Sequence, residues 1–159
     1  MKKLFLVFLV ISSSLLFGQD LTLQTLKNKS IHIVDFDGNL LFQDEGYRKK
    51  KVLFFFFGTR CPYCEKEIPQ IVQMVSSSGL HVIGVQAQFP VSDRTLKKFI
   101  EKKRINFDVL SSKSGNRLVR YLQKRRLWVG GVPFYILSDK FGNLEPLEIT
   151  EVFEKLKKH

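Results

Sequence analysis

The sequence predicts an α/β fold, with helices packed on both faces of a central β-sheet. Residues 51–57 form an apolar run with four consecutive phenylalanines, as expected for a strand that is buried on both faces. The run ends at Gly58, and residues 61–77 then repeat apolar side chains at helical spacing. A second apolar run, over 80–85, precedes a second segment of helical spacing, over 92–103. Strands and helices are therefore expected to alternate along the chain.

The composition is that of a folded protein. The chain has 159 residues, enough for one domain with a hydrophobic core. Hydrophobic residues make up 44% of it and fifteen are phenylalanine, which argues against intrinsic disorder. Lys and Arg number 26 against 15 Asp and Glu, so the formal net charge is +11.

The first 18 residues have the pattern of a secretory signal. Lys2 and Lys3 form a basic start, and residues 4–17 are apolar apart from three serines. We expect a signal peptide over 1–18 and a folded domain over 19–159, with an uncleaved N-terminal anchor as the alternative. Either reading predicts an exported protein, in the periplasm or on the outer face of the cytoplasmic membrane, where disulfides persist.

Other segments before the second helix are assigned from their patterns. Residues 21–26 are predicted as an edge strand, and residues 30–42 as two short strands around a turn at Asp37–Gly38. In the first helix the side chains expected to face inward are Ile68, Ile71, Val72 and Val75. Ser92 is expected to cap the second helix.

The C-terminal half is predicted to continue the alternation. Residues 107–110 are a short strand, and Ser114 is expected to cap a helix whose inward residues are Leu118, Tyr121 and Leu122. Residues 133–137 form a strand and 144–147 an edge strand interrupted by Pro146. Thr150 is expected to start a final helix with Val152, Phe153 and Leu156 inward.

The two cysteines of the chain, Cys61 and Cys64, lie at the start of the first helix. A cysteine there faces unpaired backbone N–H groups and the positive end of the helix dipole, which favour its thiolate. Pro62 suits the first helical turn, and Arg60 adds a positive charge beside the sulfur. Cys64, three residues on, lies on the same helix face and can close a small disulfide ring. The pattern predicts a dithiol site with Cys61 as nucleophile and Cys64 as the buried resolving thiol.

Two other interpretations of this pair remain open. An inert disulfide is one, although so small a ring would stabilise the fold by only about 2 kcal/mol. Metal binding by the two thiolates is the other, but the chain has no second cysteine pair and its histidines are scattered. His32 and His81 fit ordinary strand positions, and His159 is the last residue.

The stretch Cys61-x-x-Cys64-x-x-Glu67-x-Pro69 resembles the thioredoxin-like superfamily, and within it the exported TlpA/ResA-type thiol:disulfide oxidoreductases. Gly131-Val132-Pro133, before an apolar strand, is similar to the cis-proline loop of that superfamily. The resemblance implies a thioredoxin-like fold: a central mixed sheet flanked by helices, an N-terminal β extension and a central strand–helix insertion. It implies no cofactor beyond the redox-active Cys61–Cys64 disulfide, and no metal.

The resemblance also assigns roles to residues around the dithiol. Glu67 would help to move protons, and a cis Pro133 would let main-chain groups at Val132 pair with a substrate peptide. A solvent-exposed Glu67 and a trans Pro133 are the alternatives. Phe55 stands where many thioredoxins carry a buried acid. Arg60 replaces the usual tryptophan, and Phe134 follows the proline where threonine is common.

The Pro62–Tyr63 dipeptide, usual in glutaredoxins, predicts an intermediate potential, about −200 to −230 mV. The family suggests a reductase of protein disulfides, with apocytochrome c maturation as one role and a membrane thiol reductant as electron donor. A disulfide-introducing oxidase, with a membrane oxidant as partner, is the alternative. A metal-handling or structural module is the third reading.

Basic clusters recur along the chain, at 48–51, 97–98, 102–104 and 124–126. Most are expected to be solvated helix faces. Nucleic acid is not an expected partner of an exported domain, whereas an acidic protein or an anionic membrane surface is consistent with the charge.

Overall fold

A computed structural model of the protein describes residues 19–157, so the predicted signal peptide and His159 lie outside the described residues. The described residues begin with a three-stranded antiparallel sheet in the order β1-β2-β3. Its strands are β1 (Gln19–Gln24), β2 (Ser30–Phe36) and β3 (Asn39–Phe42). This sheet is the predicted β extension, although β1 begins and ends two residues earlier than expected.

A five-stranded mixed sheet follows. Its strands are β4 (Val52–Phe57), β5 (His81–Gln86), β6 (Asp108–Val109), β7 (Phe134–Ser138) and β8 (Leu144–Leu147). The strand order is β6-β5-β4-β7-β8, in which β4, β5 and β6 are parallel, and β7 is antiparallel to β4 and β8. The order confirms the predicted mixed sheet and places β4 at its centre.

Four helices accompany this sheet: α1 (Pro62–Ser78), α2 (Asp93–Lys103), α3 (Ser112–Lys124) and α4 (Ile149–Lys157). Alternate residues of β4 enter two cores. Leu53, Phe55 and Phe57 pack with residues of α1, α2 and α4, while Phe54 and Phe56 pack with α3 and the N-terminal sheet. All of β4 is buried, which explains why its sequence is apolar without alternation.

Helix α1 starts and stops where its sequence predicts. Cys61 is the N-cap residue, Pro62 occupies the first helical position, and Gly79 ends the helix in the left-handed region at φ 65°. Ile68 and Ile71 are buried as expected. Val72 and Val75 are only partly buried, because the buried position of that turn is taken by Met74.

Some of the predicted boundaries and caps are wrong. Ser111, not Ser114, caps α3, accepting a hydrogen bond from the backbone N–H of Ser114. Ser114 is instead buried, and its hydroxyl accepts from the backbone N–H of Gln24. Strand β6 has two residues rather than four, and β8 continues through Pro146. The proline is tolerated because β8 is an edge strand that pairs on one side alone.

Within residues 19–157, no helix combines the length and the apolar character needed to cross a bilayer.

Candidate active site

The two cysteines lie at the end of β4, where the chain turns through Gly58 and Arg60 into α1. They form a disulfide, with their Cα atoms 5.2 Å apart. The Cys61 sulfur accepts a hydrogen bond from the backbone N–H of Cys64 at 3.1 Å. Cys61 is 3% exposed and Cys64 is fully buried, so Cys61 is the more accessible sulfur of an almost covered pair.

The N-cap position gives the Cys61 sulfur its electrostatic environment. The first backbone N–H groups of a helix lack partners within the helix and carry the positive end of its dipole. When the disulfide is reduced, these groups stabilise a negative charge on Cys61 more than on Cys64, which lies one turn inside the helix. The arrangement can therefore support thiolate attack by the first cysteine.

The loop before β7 approaches the same sulfur. The Val132–Pro133 peptide is cis, as predicted, and the carbonyl oxygen of Val132 lies 3.6 Å from the Cys61 sulfur. Trp128 stacks on Phe56, with 5.9 Å between ring centroids, and its indole N–H donates to the carbonyl of Gly131 at 3.1 Å. The buried Trp128 thus ties this loop to the central strand.

Glu67 contacts a residue that the sequence reasoning missed. The Tyr135 hydroxyl donates a short hydrogen bond to Oε2 of Glu67. Burial, together with the negative charge of Glu67, raises the pKa of Tyr135 well above its ordinary value. Two signals could have revealed this partner: Tyr135 lies two residues after Pro133, and its hydroxyl is polar within an apolar strand.

Residues flanking the cysteines are exposed. Arg60 projects into solvent, and its backbone N–H donates to the Gln88 side chain at 3.3 Å. Tyr63 is 69% exposed, and the Lys66 ammonium lies 5.8 Å from its ring centroid. Exposed apolar residues also occur at Phe89, next to Gln88, and at Val129, in the loop before Val132. Tyr63 lies between the two cysteines, while Phe89 and Val129 belong to chain segments that contact Arg60 and Cys61 through Gln88 and Val132.

In the described part of the chain, no group of three or more His, Cys, Asp and Glu side chains is arranged to hold a metal ion. His32 instead pairs with Asp44, at 3.0 Å between Nδ1 and Oδ1. His81 is the first residue of β5, and its ring lies edge-on to Tyr47.

A mixed sheet with a CxxC disulfide at the start of its first long helix and a cis-proline loop facing it defines a thioredoxin-like thiol–disulfide oxidoreductase. More specifically, the chain belongs to the AhpC/TSA family, whose pattern matches residues 19–145.

Relatives and solved structures agree with this class. The thiol-disulfide oxidoreductase ResA of Halalkalibacterium halodurans is 26% identical over 137 residues, which cover 84% of this chain and 67% of ResA. ResA of Geobacillus thermodenitrificans is 27% identical over a stretch that covers 71% of this chain and 63% of that ResA. The chain thus spans about two thirds of these relatives. The structure of Mycobacterium tuberculosis DsbF has the same fold, with a TM-score of 0.63 at 19% identity, covering 86% of this chain and 92% of DsbF.

Proposed function

We propose that the protein is an exported thiol:disulfide oxidoreductase that reduces disulfides in protein substrates. The observation that carries the proposal is the position of Cys61, whose sulfur caps α1 and accepts the Cys64 N–H at 3.1 Å. Such a sulfur is stabilised as a thiolate, and Cys64 is close enough to complete an exchange.

The reaction has two steps. The Cys61 thiolate attacks one sulfur of the substrate disulfide; that bond breaks, a mixed disulfide with Cys61 forms, and the other substrate sulfur leaves as a thiolate that takes up a proton. The Cys64 thiol then loses its proton and attacks the Cys61 sulfur. The mixed disulfide breaks, the second substrate sulfur leaves, and the Cys61–Cys64 disulfide forms. Two electrons have passed from the dithiol to the substrate.

We propose that an extended substrate peptide docks beside Cys61. The Val132 carbonyl, at 3.6 Å from the sulfur, is placed to accept a hydrogen bond from a substrate N–H, and Pro133 fixes the direction of the loop. Tyr63, Phe89 and Val129 offer apolar contact to side chains that flank the substrate cysteine. These residues support substrate roles for Val132 and Pro133, and they favour unfolded or flexible proteins as substrates.

The direction of electron flow is part of the proposal. The resemblance to the TlpA/ResA-type proteins favours a reductase, with apocytochrome c as one substrate and a membrane thiol reductant to regenerate the dithiol. A disulfide-introducing oxidase uses the same atoms in reverse. Equilibration with glutathione separates the two, because a potential well above about −180 mV would favour the oxidase. Pro62 and Tyr63, between the cysteines, predict a lower value.

Reduction of insulin by the full chain tests the basic activity. The wild-type protein should accelerate reduction by dithiothreitol, and Cys61→Ser should abolish the effect. Cys64→Ser should accumulate a mixed disulfide, because its first step remains and its second is lost. Equal rates for wild type and Cys61→Ser would contradict the proposal and leave a structural or metal-binding role for the pair.

Export is proposed from the N-terminal sequence, whose basic start and apolar stretch are those of a signal peptide over 1–18. The compartment would be the periplasm or the outer face of the cytoplasmic membrane. Thiol trapping in intact cells gives the state of the pair: a mostly reduced pair is expected of a reductase, and a mostly oxidised pair of an oxidase.

An anionic membrane surface is a proposed partner at the other end of the sheet. Arg48, Lys49, Lys50, Lys51 and Lys140, with Phe141, make up what we call the basic face. Residues 48–51 of this face precede β4, whose six residues separate them from the dithiol by about 20 Å. Lys140 and Phe141 lie in the β7–β8 turn and line the same cavities as Lys50. No ion pair involves any of its cations among residues 19–157. Phe141 is 63% exposed, and cations around an exposed aromatic suit an anionic lipid surface.

A further inference from the structure

We propose that Tyr135 is a positioning residue for proton transfer at the dithiol, where its hydroxyl holds the carboxylate of Glu67 on the side of α1 that carries Cys64. The inference rests on the proposed function, since it concerns the step in which Cys64 loses its proton. It adds a residue on β7 to a site whose other chemical groups lie on α1 and the loop before β7.

The contact joins two elements of the site. Glu67 follows Cys64 by three residues in α1, so the two side chains lie on one helix face. Tyr135 follows Pro133 by two residues and pairs in register with Phe55 of β4. The hydrogen bond from the Tyr135 hydroxyl to Glu67 Oε2 therefore couples the active-site helix to the strand that leaves the substrate loop.

The tyrosine is held rigidly. It is 3% exposed, and its ring stacks on Phe55 with 5.2 Å between centroids and 14° between planes. Phe55 stacks in turn on Phe57, at 5.5 Å. A buried hydroxyl needs a hydrogen-bond partner, and Glu67 is the one this hydroxyl has within the described residues. The orientation of the Glu67 carboxylate is thus set by a packed aromatic ring rather than by solvent.

The charges around the pair keep the tyrosine a donor. Burial and the carboxylates of Glu67 and Glu148, the latter between β8 and α4, raise its pKa. Other charges on α1 have partners elsewhere: Glu65 pairs with Lys103 of α2, and Lys66 lies over Tyr63. The hydroxyl therefore stays protonated and donates to the Glu67 carboxylate.

This arrangement suits the second step of the exchange. The thiol of Cys64 is fully buried and must transfer its proton before its sulfur can attack. Oε2 is engaged by Tyr135, and Oε1 of Glu67 has no hydrogen-bond partner among residues 19–157. In the proposed step Oε1 accepts the Cys64 proton and returns it to the departing substrate thiolate. Removing the hydroxyl should leave the carboxylate in place but unoriented, which slows proton transfer without affecting attack by Cys61.

Reaction of the reduced full chain with dithiobis(nitrobenzoate) tests this directly. The first nitrothiobenzoate released reports attack by Cys61, and the second reports resolution by Cys64. We expect Tyr135→Phe and Glu67→Gln to leave the first phase unchanged and to slow the second at pH 7, each by about tenfold. Their pH profiles should move to higher pH, because the Cys64 thiol then ionises without a local base.

A double variant and a matched control make the outcome decisive. The Tyr135→Phe/Glu67→Gln protein should resolve no more slowly than Glu67→Gln, since the tyrosine acts through the carboxylate. Tyr121→Phe is the control. This buried tyrosine also donates to a carboxylate, that of Asp35 at 2.7 Å, but it belongs to α3 and not to the dithiol site. It should resolve at the wild-type rate.

A wild-type second phase and pH profile in Tyr135→Phe would overturn the inference, as would additive effects in the double variant. Failure of the proposed function looks different, because then wild type and Cys61→Ser would be equally inactive towards insulin. That result would remove the inference too.

Discussion

The backbone N–H of Cys64 donates to the sulfur of Cys61 at 3.1 Å, so the second cysteine supplies a hydrogen bond to the first as well as a disulfide partner. An N–H aimed at a sulfur favours the anionic form of that sulfur over its thiol. Cys64 lies in the first turn of α1, which makes the chemistry of Cys61 dependent on the helix start.

Replacement of Arg60 by Ala is expected to raise the pKa of Cys61, because a positive charge beside the thiolate is lost. Arg60 is exposed, so solvent screens its charge and the change in the pKa of Cys61 should be small. The rate of Cys61 alkylation against pH measures this change. High salt should reduce the difference between Arg60→Ala and wild type. Arg120→Ala, which removes an exposed arginine on α3, should leave the Cys61 titration as in wild type. An identical titration of wild type and Arg60→Ala would remove the electrostatic role of Arg60.

Local sequence determined much of the site in advance. The apolar run of residues 51–57 predicts a strand buried on both faces, which the structure has over 52–57. The order of Gly58, Cys61 and Pro62 predicts the helix start correctly, because each signal lies within a few residues of the feature. The cis peptide before Pro133 is expected from the resemblance of residues 131–133 to a cis-proline loop, not from local sequence alone, and the structure has it.

Features set by tertiary contacts could not be predicted in this way. Glu67 and Tyr135 are 68 residues apart, and they meet because Tyr135 pairs with Phe55 in a register that the sequence alone does not specify. Ser111 and Ser114 both fit a helix cap. The choice falls on Ser111 because the hydroxyl of Ser114 satisfies the Gln24 N–H of a distant strand.

Gly142 in the β7–β8 turn should not tolerate a side chain. Its φ is +84°, and a Cβ there would lie 2.7 Å from the carbonyl oxygen of Leu40, whose N–H donates to the Gly142 carbonyl at 2.8 Å. We expect Gly142→Ala to lower the free energy of unfolding by about 2–3 kcal/mol, measured by urea denaturation. Gly79→Ala is the control: its φ is +65°, but no atom lies within 4 Å of the added Cβ. Gly79→Ala should lower the free energy of unfolding by about 1 kcal/mol. Equal losses in Gly79→Ala and Gly142→Ala would mean that the structure relieves the contact with Leu40 easily.

Asp108 should make stability depend on acid pH. Burial pushes its pKa upward, but hydrogen bonds from Tyr47 at 2.5 Å and Lys29 at 3.1 Å outweigh burial and hold the pKa below its ordinary 3.8. A lowered folded-state pKa gives stability that is complete above pH 3.8 and is lost as pH falls through the folded value.

Asp108→Asn should therefore be less stable than wild type at pH 7, by about 1–2 kcal/mol, and the gap should close in strong acid. Urea unfolding at pH 7 and in acid, down to about pH 2, measures it. Asp20→Asn, at an exposed position in β1, should leave stability unchanged at either pH. A gap that stays constant with pH would mean that the charge of Asp108 contributes nothing.

The basic face should bind anionic membranes through a few specific lysines. Each lysine near such a surface contributes about 1 kcal/mol, so Lys49→Gln/Lys50→Gln/Lys140→Gln should weaken the preference for phosphatidylglycerol over phosphatidylcholine vesicles by about 100-fold. Sedimentation of the full chain with each kind of vesicle measures this preference. Because the preference is a ratio of two affinities, it cancels any lipid contact that is the same for both kinds of vesicle. Lys97→Gln/Lys98→Gln/Lys102→Gln removes the same charge from exposed positions of α2 and should retain most of the preference. Equal losses in both triple variants would point to net charge alone, and no loss in the first would exclude the basic face as the contact.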